Sequence, residues 1–241
     1  MYFVRLLRVA NMTCISNKNK FDESSYNKFF SYLLEGNRRQ CISFINDCIE
    51  NGLGIKEIYI LLLQRALHDI GDLWQKNVVS VAQEHLATAI IQRLMMFIYQ
   101  KQALPSPNGF KVLIACPGNE LHEIGARMVA DFFEIHGFDV KFVGSNIPVR
   151  DVVGQIKAFS PDLIGVSCTM AFNLHEIKNV IDAVRETNAN VKVFVGGYAF
   201  NKNPGLYKIV GADFYAADAE DALAKAKSFL LERGAANELS C

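Results

Sequence analysis

The sequence predicts two successive domains, a four-helix bundle and an α/β domain with a doubly wound, five-stranded parallel sheet. Over residues 21–104 apolar side chains recur at steps of three and four, which is the spacing of amphipathic helices. Residues 105–235 instead alternate short apolar runs with helical segments, as in a parallel sheet covered on both faces. Between these parts, the stretch ALPSPNG combines two prolines with an asparagine and a glycine, which is typical of a linker.

The first domain is predicted to contain four helices joined by short connections. The segments SSYNKFFSYLLEG and NRRQCISFINDCIENG end at Gly36 and Gly52, and glycine commonly follows the last turn of a helix. Two longer segments follow, IKEIYILLLQRALHDIGDLWQ and SVAQEHLATAIIQRLMMFIYQKQ, and Ser80 is the predicted N-cap of the second. Because short connections favour antiparallel neighbours, we expect a compact antiparallel bundle.

Five strand–helix pairs are predicted in the second domain, which is the pattern of a flavodoxin-like (Rossmann-type) fold with strand order 2-1-3-4-5. The strands are FKVLIAC, DVKFVG, DLIGVSC, KVFVGG and ADFYA. In such folds ligands bind beyond the carboxyl ends of the strands, so the loops that follow the strands form the predicted functional face. These loops are rich in glycine and small polar residues, and they span residues 116–125, 144–148, 167–173, 196–201 and 216–220.

The charge distribution argues against a nucleic-acid-binding surface in the folded part of the chain. The 25 basic residues balance 25 acidic ones, and the basic excess is confined to the arm formed by residues 1–20. No apolar run reaches the roughly 20 residues that span a bilayer, and Arg5 and Arg8 interrupt the hydrophobic start. We therefore expect a cytoplasmic protein without a membrane partner, in which the arm and residues 236–241 are flexible.

The six cysteines lack the paired spacing of a disulfide framework or a metal site, which is typical of reduced thiols in a cytoplasmic chain. Cys41 and Cys48 lie seven residues apart, on one face of the second predicted helix. Cys116 and Cys168 end two strands that are neighbours in the predicted sheet. We expect buried packing for both pairs, and a redox pair formed by Cys116 and Cys168 is the alternative.

A charged motif stands in the loop after the first predicted strand. Glu120, His122 and Gly125 form the pattern E-x-H-x-x-G at the junction of this strand with the next helix. Imidazole is a good ligand for first-row transition metals, cobalt included, and a nearby carboxylate is placed to accept the other ring N–H. Gly125 would let a large ring lie against the start of the helix. The alternative is an exposed loop histidine without a ligand.

Two further segments at the same sheet edge extend this motif. Ser167 and Thr169 follow the third strand, and Gly196 and Gly197 follow the fourth. Together with the E-x-H-x-x-G loop, they make the second domain resemble the cobalamin-binding domains. The resemblance implies that His122 ligates the cobalt from below in place of dimethylbenzimidazole. It also implies that the serine, the threonine and the glycine pair line the cleft for the displaced nucleotide tail.

The helical domain carries a second motif, in which Trp74 is followed after nine intervening residues by Glu84 and His85. This W-x9-E-H pattern resembles the helical domain of light-sensing cobalamin regulators of the CarH/LitR type. The resemblance implies adenosylcobalamin as cofactor, with these three side chains around the 5′-deoxyadenosyl group. Gln75 departs from those photoreceptors, which carry a second cobalt-binding histidine there. After photolysis the cobalt would then bind water or another residue, for which His68 and His85 are the open candidates. Without a ligand, the tryptophan would pack between helices and the other two would form a solvated helix turn.

The two resemblances together imply a regulatory binding protein rather than an enzyme. In such regulators light cleaves the cobalt–carbon bond, the helical domain rearranges, and the signal passes to a partner. The MerR-type DNA-binding domain of CarH-type repressors is not expected before the bundle, so the chain is more similar to the AerR/PpaA antirepressors. We therefore expect a protein partner such as a transcription regulator and no direct nucleic-acid binding, while homo-oligomerisation stays open.

A corrinoid methyl-carrier subunit of a methyltransferase system is the alternative function. Such carriers also join a helical domain to this fold, but they usually have aspartate at the position of Glu120. A phosphate-dependent signalling domain is a third interpretation. It is disfavoured because the sequence has no Walker A or G-x-G-x-x-G motif, and because Cys116 and residues 167–169 occupy the places of the acidic residues that such a domain needs.

Overall fold

The computed structural model describes residues 22–187 and 191–238, with side chains as far as residue 230. The predicted basic arm, residues 1–20, lies outside this part of the chain, as do the last three residues of the predicted tail. The chain divides into two compact units between Gln100 and Lys101. The first is helical and the second is an α/β unit, so the predicted fold class is confirmed. Over the described residues, no helix is both long and apolar enough to cross a membrane.

Four helices form the described part of the helical unit. They are α1 (Glu23–Leu34), α2 (Arg38–Glu50), α3 (three consecutive segments, Ile55–Glu57, Ile58–Gln64 and Arg65–Gln75) and α4 (Val81–Tyr99). Ser80 caps α4 as predicted. Its hydroxyl accepts a hydrogen bond from the Gln83 amide (3.3 Å), and the Gln83 side chain accepts one from the Ser80 amide (3.1 Å). This reciprocal pair is a capping box, which satisfies two backbone donors at the start of the helix.

The middle segment of α3 is a difference from the sequence prediction. The apolar spacing predicts an unbroken α-helix, whereas residues Ile58–Gln64 have π-helical hydrogen bonding. Ile58 and Leu62 are buried within this segment, while Leu61 is 42% exposed. A π turn holds more residues than an α turn, so α3 is locally wider over this segment.

A polar cluster joins α1 to α3 beside the apolar core of the bundle. The guanidinium of Arg65 lies 3.6 Å from the centre of the Tyr26 ring and bonds to both carboxylate oxygens of Glu23, at 2.6 and 2.9 Å. The buried Tyr26 hydroxyl donates a hydrogen bond to Asp69. Burial, together with this carboxylate, raises the pKa of Tyr26 far above its ordinary value, so the phenol stays neutral. The cluster fixes how two helices distant in sequence meet.

Strands and helices alternate along the described residues of the α/β unit. The elements are β1 (Lys111–Pro117), α5 (Ile124–Glu134), β2 (Asp139–Ile147), α6 (Val149–Phe159), β3 (Leu163–Ser167), a 3-10 turn (Ala171–Asn173), α7 (Leu174–Thr187), β4 (Lys192–Gly196), α8 (Tyr198–Lys202), α9 (Leu206–Ile209), β5 (Phe214–Tyr215) and α10 (Ala219–Glu238). Within this part of the chain the sheet is all-parallel, with the order β2-β1-β3-β4-β5 predicted from the sequence. The predicted short helix near NPGLYKIVG is two short helices, and α10 continues into the predicted tail.

Each face of the sheet is covered by its own apolar core. Successive β1 side chains point to opposite faces, so Leu113 and Ala115 join one core and Val112 and Ile114 join the other. The first core includes residues of α6 and α7, and the second includes residues of α5 and α10. This double covering holds the central strands β1 and β3 rigidly, and it brings their carboxyl ends together at one edge.

The four cysteines among the described residues are buried free thiols. Cys41 and Cys48 both lie on the buried side of α2. Cys116 packs in the core on one face of the sheet, and Cys168 packs in the core on the other. Burial raises the pKa of the Cys168 thiol to about 12. Buried packing is therefore confirmed for both pairs, and the redox alternative is disfavoured because the two thiols belong to opposite faces.

An ion cluster ties β4 to α7 and to the start of β5. Asp213 accepts hydrogen bonds from the Val193 amide (2.8 Å), the Lys192 ammonium (3.0 Å) and the Arg185 guanidinium (2.5 Å). Burial raises the pKa of the Asp213 carboxyl, but these hydrogen bonds outweigh burial and hold the pKa below its ordinary value of 3.8. The ionised carboxylate therefore stabilises the fold at pH values above 3.8. This stabilisation is lost as the pH falls through the lowered pKa of the folded protein.

Replacing Asp213 with asparagine is expected to lower the free energy of unfolding by about 2 kcal/mol at pH 7, because two cations and an amide lose a charged acceptor. The deficit should shrink at pH 3, where the aspartate of the unfolded wild-type chain takes up protons and the charged acceptor contributes less to stability. Urea unfolding followed by circular dichroism at pH 7 and pH 3 measures the difference in the free energy of unfolding between the variant and the wild type. Asp182→Asn is the matched control, since its pair with Lys178 is half-exposed and contributes little. An equal deficit at both pH values would contradict the charge assigned to Asp213.

Candidate functional site

The loop between β1 and α5 leaves the sheet at a tight turn. β1 is buried from Val112 to Pro117, and the chain then turns at Gly118, whose φ of +62° is the left-handed conformation that glycine favours. His122 follows four residues later, two positions before α5 begins at Ile124. The loop thus places the histidine between the end of β1 and the start of α5.

Glu120 is the centre of this loop, and it is fully buried. Its Oε1 accepts hydrogen bonds from the His122 backbone amide (3.0 Å) and from His122 Nδ1 (2.6 Å). Its Oε2 accepts from the backbone amides of Thr169 (2.8 Å) and Met170 (3.1 Å), and from Asn173 Nδ2 (3.3 Å). One carboxylate therefore joins the loop after β1 to the loop after β3.

These hydrogen bonds settle the charge of Glu120. Burial alone would raise its pKa, but the donors from His122, Met170 and Thr169 outweigh burial and lower the pKa to about 2. The carboxylate is therefore ionised at neutral pH and can only accept hydrogen bonds, so His122 Nδ1 must be the protonated ring nitrogen. In this tautomer a metal would be bound through Nε2.

The imidazole combines a buried support with an exposed side chain. The His122 side chain is 52% exposed, although the carboxylate that holds it has no exposed surface. Gly125, in the first turn of α5, is also exposed, and a Cβ built on it would meet nothing within 4 Å. A single oriented imidazole beside open surface suits a metal whose remaining ligands come from a large cofactor. The residues present therefore fit the group that the sequence resemblance implies.

The ends of β3 and β4 form the second part of the predicted site. Ser167 pairs with Gly196 in the sheet register, and the Cys168 amide donates to the Gly196 carbonyl at 3.0 Å. Gly197 has a φ of +96°, and a Cβ there would lie 2.5 Å from the carbonyl oxygen of Cys168. Glycine is therefore required where the chain turns from β4 into α8. Thr169 is linked to the first part of the site, because its backbone amide donates a hydrogen bond to the Glu120 carboxylate.

The other predicted residues belong to the helical unit. Trp74 lies in the last turn of α3 and is 40% exposed, so the bundle core does not enclose it. Glu84 and His85 lie in the first turn of α4, where the Glu84 carboxylate contacts His85 Nδ1 and accepts a hydrogen bond from the Thr88 hydroxyl (2.9 Å). The His85 side chain is 74% exposed. Glu84 and His85 thus form a second carboxylate–imidazole pair. Gln75, which follows Trp74, is exposed.

Asn173 lies within the predicted functional face, but the sequence pattern did not single it out as a site residue. Its side chain is 1% exposed, and a buried amide needs hydrogen-bond partners. The partner is Glu120, 53 residues earlier in the chain. The sequence pattern likewise did not predict that the Met170 amide donates to Glu120. Neither the type nor the spacing of these residues signals the contact, because it depends on where the loop after β3 folds back over the loop after β1.

Comparison with known proteins identifies both units. Residues 26–99 and 110–227 each match a family model described as a B12 binding domain. The dimethylamine corrinoid protein 3 of Methanosarcina acetivorans is 35% identical over 114 residues, which are 46% of this chain and 53% of that protein. The HTH-type transcriptional repressor CarA of Myxococcus xanthus is 28% identical over 146 residues, which are 61% of this chain and 50% of the repressor. The chain thus spans about half the length of the curated relatives it matches.

A solved structure has the same fold. The monomethylamine corrinoid protein of Methanosarcina barkeri matches with a TM-score of 0.72 at 18% identity, over 85% of this chain and 97% of that one. The fold and the two domain matches define a cobalamin-binding protein. Each unit thus matches a B12 binding domain, the helical unit over residues 26–99 and the α/β unit over residues 110–227.

Proposed function

We propose that this protein carries a corrinoid for a partner methyltransferase, with His122 as an axial ligand of the cobalt. The observation that supports this best is the half-exposed imidazole held by the buried, ionised carboxylate of Glu120. The similarity to dimethylamine corrinoid proteins, at 35% identity for one of them, favours a carrier. The carrier was the alternative in the sequence analysis, and we now place it before the light-sensing regulator.

Cobalamin, when bound, would supply a cobalt ion that can take up and release a ligand. The chain's own part is to hold one imidazole ready for the metal. The Glu120 carboxylate accepts a hydrogen bond from His122 Nδ1–H, which makes Nε2 the stronger electron-pair donor toward a metal. Because the carboxylate is anchored by the amides of Thr169 and Met170, the ring is oriented before any cofactor arrives. The residues that we propose for the ring and the nucleotide tail are Gly125, Ser167, Thr169, Gly196 and Gly197.

Replacing His122 with alanine tests the proposed ligand. We expect the variant to bind methylcobalamin about ten- to a hundredfold more weakly, because the axial bond and its oriented donor are lost. The decisive measurement is electron paramagnetic resonance of the bound cobalt(II) form, in protein labelled with ¹⁵N-histidine. The wild-type spectrum should carry the splitting of one histidine nitrogen, and the variant spectrum should not.

His136→Ala is the matched control for this experiment. His136 lies in the same unit, just after α5, and its Nδ1 contacts the backbone carbonyl of Phe132 at 2.7 Å instead of a carboxylate. The control should bind methylcobalamin as the wild type does and keep the nitrogen splitting. If the splitting survives in His122→Ala, cobalt is held by another residue and the proposed ligand is wrong.

A light-responsive adenosylcobalamin regulator is the second candidate function. Two observations favour it, the W-x9-E-H residues of the helical unit and the 28% identity to the repressor CarA over 61% of this chain. In this candidate Trp74, Glu84 and His85 accommodate the 5′-deoxyadenosyl group, and the signal passes to a protein such as a transcription regulator. In both candidates the chain binds a cofactor and the partner supplies the rest of the activity.

Substitution of Trp74 separates the two candidates. For a regulator, we expect Trp74→Ala to weaken adenosylcobalamin binding about tenfold while methylcobalamin binding stays unchanged. The reason is that the tryptophan would contact the 5′-deoxyadenosyl group but not the small methyl group. For a carrier, both affinities should stay within twofold of the wild type. Green light on the adenosylcobalamin-loaded protein is the second measurement, with hydrodynamic size recorded before and after. A lasting change of size favours the regulator, and an unchanged size favours the carrier.

A further inference from the structure

Two large apolar side chains are exposed in the loops that hold the histidine. Leu121 is 68% exposed and Phe172 is 67% exposed. Leu121 stands between Glu120 and His122, and Phe172 stands in the 3-10 turn that ends at Asn173. A single exposed apolar residue is common on protein surfaces, and Ile209 on α9, at 70%, is such a case. Leu121 and Phe172 differ from such a case because they lie in the two loops that the Glu120 carboxylate joins, next to the imidazole proposed as a metal ligand or to the residues that support it.

The loops that carry both side chains are held by the same carboxylate that orients the imidazole. Glu120 Oε1 accepts the amide of His122, which fixes the backbone directly after Leu121. Glu120 Oε2 accepts the Met170 amide and the Asn173 side chain, which lie on either side of Phe172. The 3-10 turn adds a hydrogen bond from the Asn173 amide to the Met170 carbonyl at 2.9 Å. These bonds hold both loops in the conformation that leaves the two apolar side chains in water.

We propose that Leu121 and Phe172 bind the apolar periphery of the corrin ring, and that they supply affinity which the His122 ligand does not. This inference rests on the proposed corrinoid-binding function and names two binding residues of the same site. An apolar side chain that the fold holds in water gains free energy when a large ring covers it, in proportion to the area removed from water. Because the loops are already ordered, little backbone entropy is lost when the ring binds.

Truncation to alanine measures this contribution. We expect Leu121→Ala and Phe172→Ala each to weaken methylcobalamin binding about tenfold, which corresponds to about 1.4 kcal/mol, and the double variant about a hundredfold. The visible spectrum at saturation should be that of the wild type, because the axial ligand is intact. The urea midpoint should also be unchanged, because both side chains are exposed in the folded protein. Phe172→Leu should recover most of the lost affinity.

A ligand without the nucleotide locates the contact. Cobinamide has the corrin ring but lacks the nucleotide, so contacts to the ring should lower its affinity by the same factor as that of methylcobalamin. Ile209→Ala is the matched control, since it removes an equally exposed apolar side chain from α9. The inference is overturned if the two alanine variants bind both ligands within twofold of this control. Failure of the proposed function is distinguishable, because the wild type would then bind neither ligand or would bind both independently of His122.

Discussion

Glutamine in place of Glu120 is expected to weaken cobalamin binding roughly ten- to a hundredfold and to lower the free energy of unfolding by about 2 kcal/mol. If the amide oxygen faces Thr169 and Met170, the amide NH2 meets the His122 amide and Nδ1–H, so donors face donors. The ring then has to move its proton to Nε2, the nitrogen that would bind the metal. If the amide is turned the other way, its NH2 meets two backbone N–H groups. Neither orientation reproduces the carboxylate.

Two measurements check this expectation, titration with methylcobalamin and urea unfolding of the free protein. Glu123→Gln is the matched control, because this glutamate belongs to the same loop but pairs with Arg127 at 3.1 Å. The control should bind within about twofold of the wild type, as expected for a partly exposed ion pair. Wild-type affinity in the Glu120→Gln variant would contradict the role given to this carboxylate, whatever its effect on stability.

Alanine at Gly197 should destabilise the α/β unit by about 3 kcal/mol, since its backbone conformation is strained for any residue with a side chain. The φ of +96° and ψ of 171° belong to glycine, and the added Cβ would lie 2.5 Å from the Cys168 carbonyl oxygen. That carbonyl also accepts the Ala199 amide at 3.2 Å, so the backbone cannot retreat without losing a hydrogen bond. Thr169 directly follows Cys168, and its amide donates to Glu120. A shift of the Cys168 backbone should therefore also disturb Glu120 and weaken cobalamin binding.

Gly154→Ala provides a control of opposite sign. Gly154 lies inside α6, and a Cβ there would meet nothing within 4 Å. Alanine favours a helix interior by roughly 1 kcal/mol over glycine, so this variant should be more stable than the wild type. Urea unfolding followed by circular dichroism measures both variants. If both glycine variants shift the midpoint in the same direction, the requirement for glycine at position 197 is refuted.

The fold followed from local patterns that each unit repeats. Apolar steps of three and four predicted the four helices, and apolar runs between helical segments predicted the parallel sheet and its strand order. The patterns were less informative at the edges of elements. β5 shrinks to Phe214–Tyr215, β2 extends to Ile147, and part of α3 is π-helical. These details depend on packing against neighbours, which a single segment does not encode.

The sequence by itself determined the class of the site. Glu120 and His122 stand two residues apart in one loop, and their chemistry is readable there because a carboxylate so close to an imidazole is within reach of it. The tertiary structure decided which groups hold the carboxylate in its charged form. Asn173 and the amides of Thr169 and Met170 reach Glu120 across about 50 residues of chain. Their donors keep a buried carboxylate ionised, and such long-range contacts form only when β1 and β3 lie side by side.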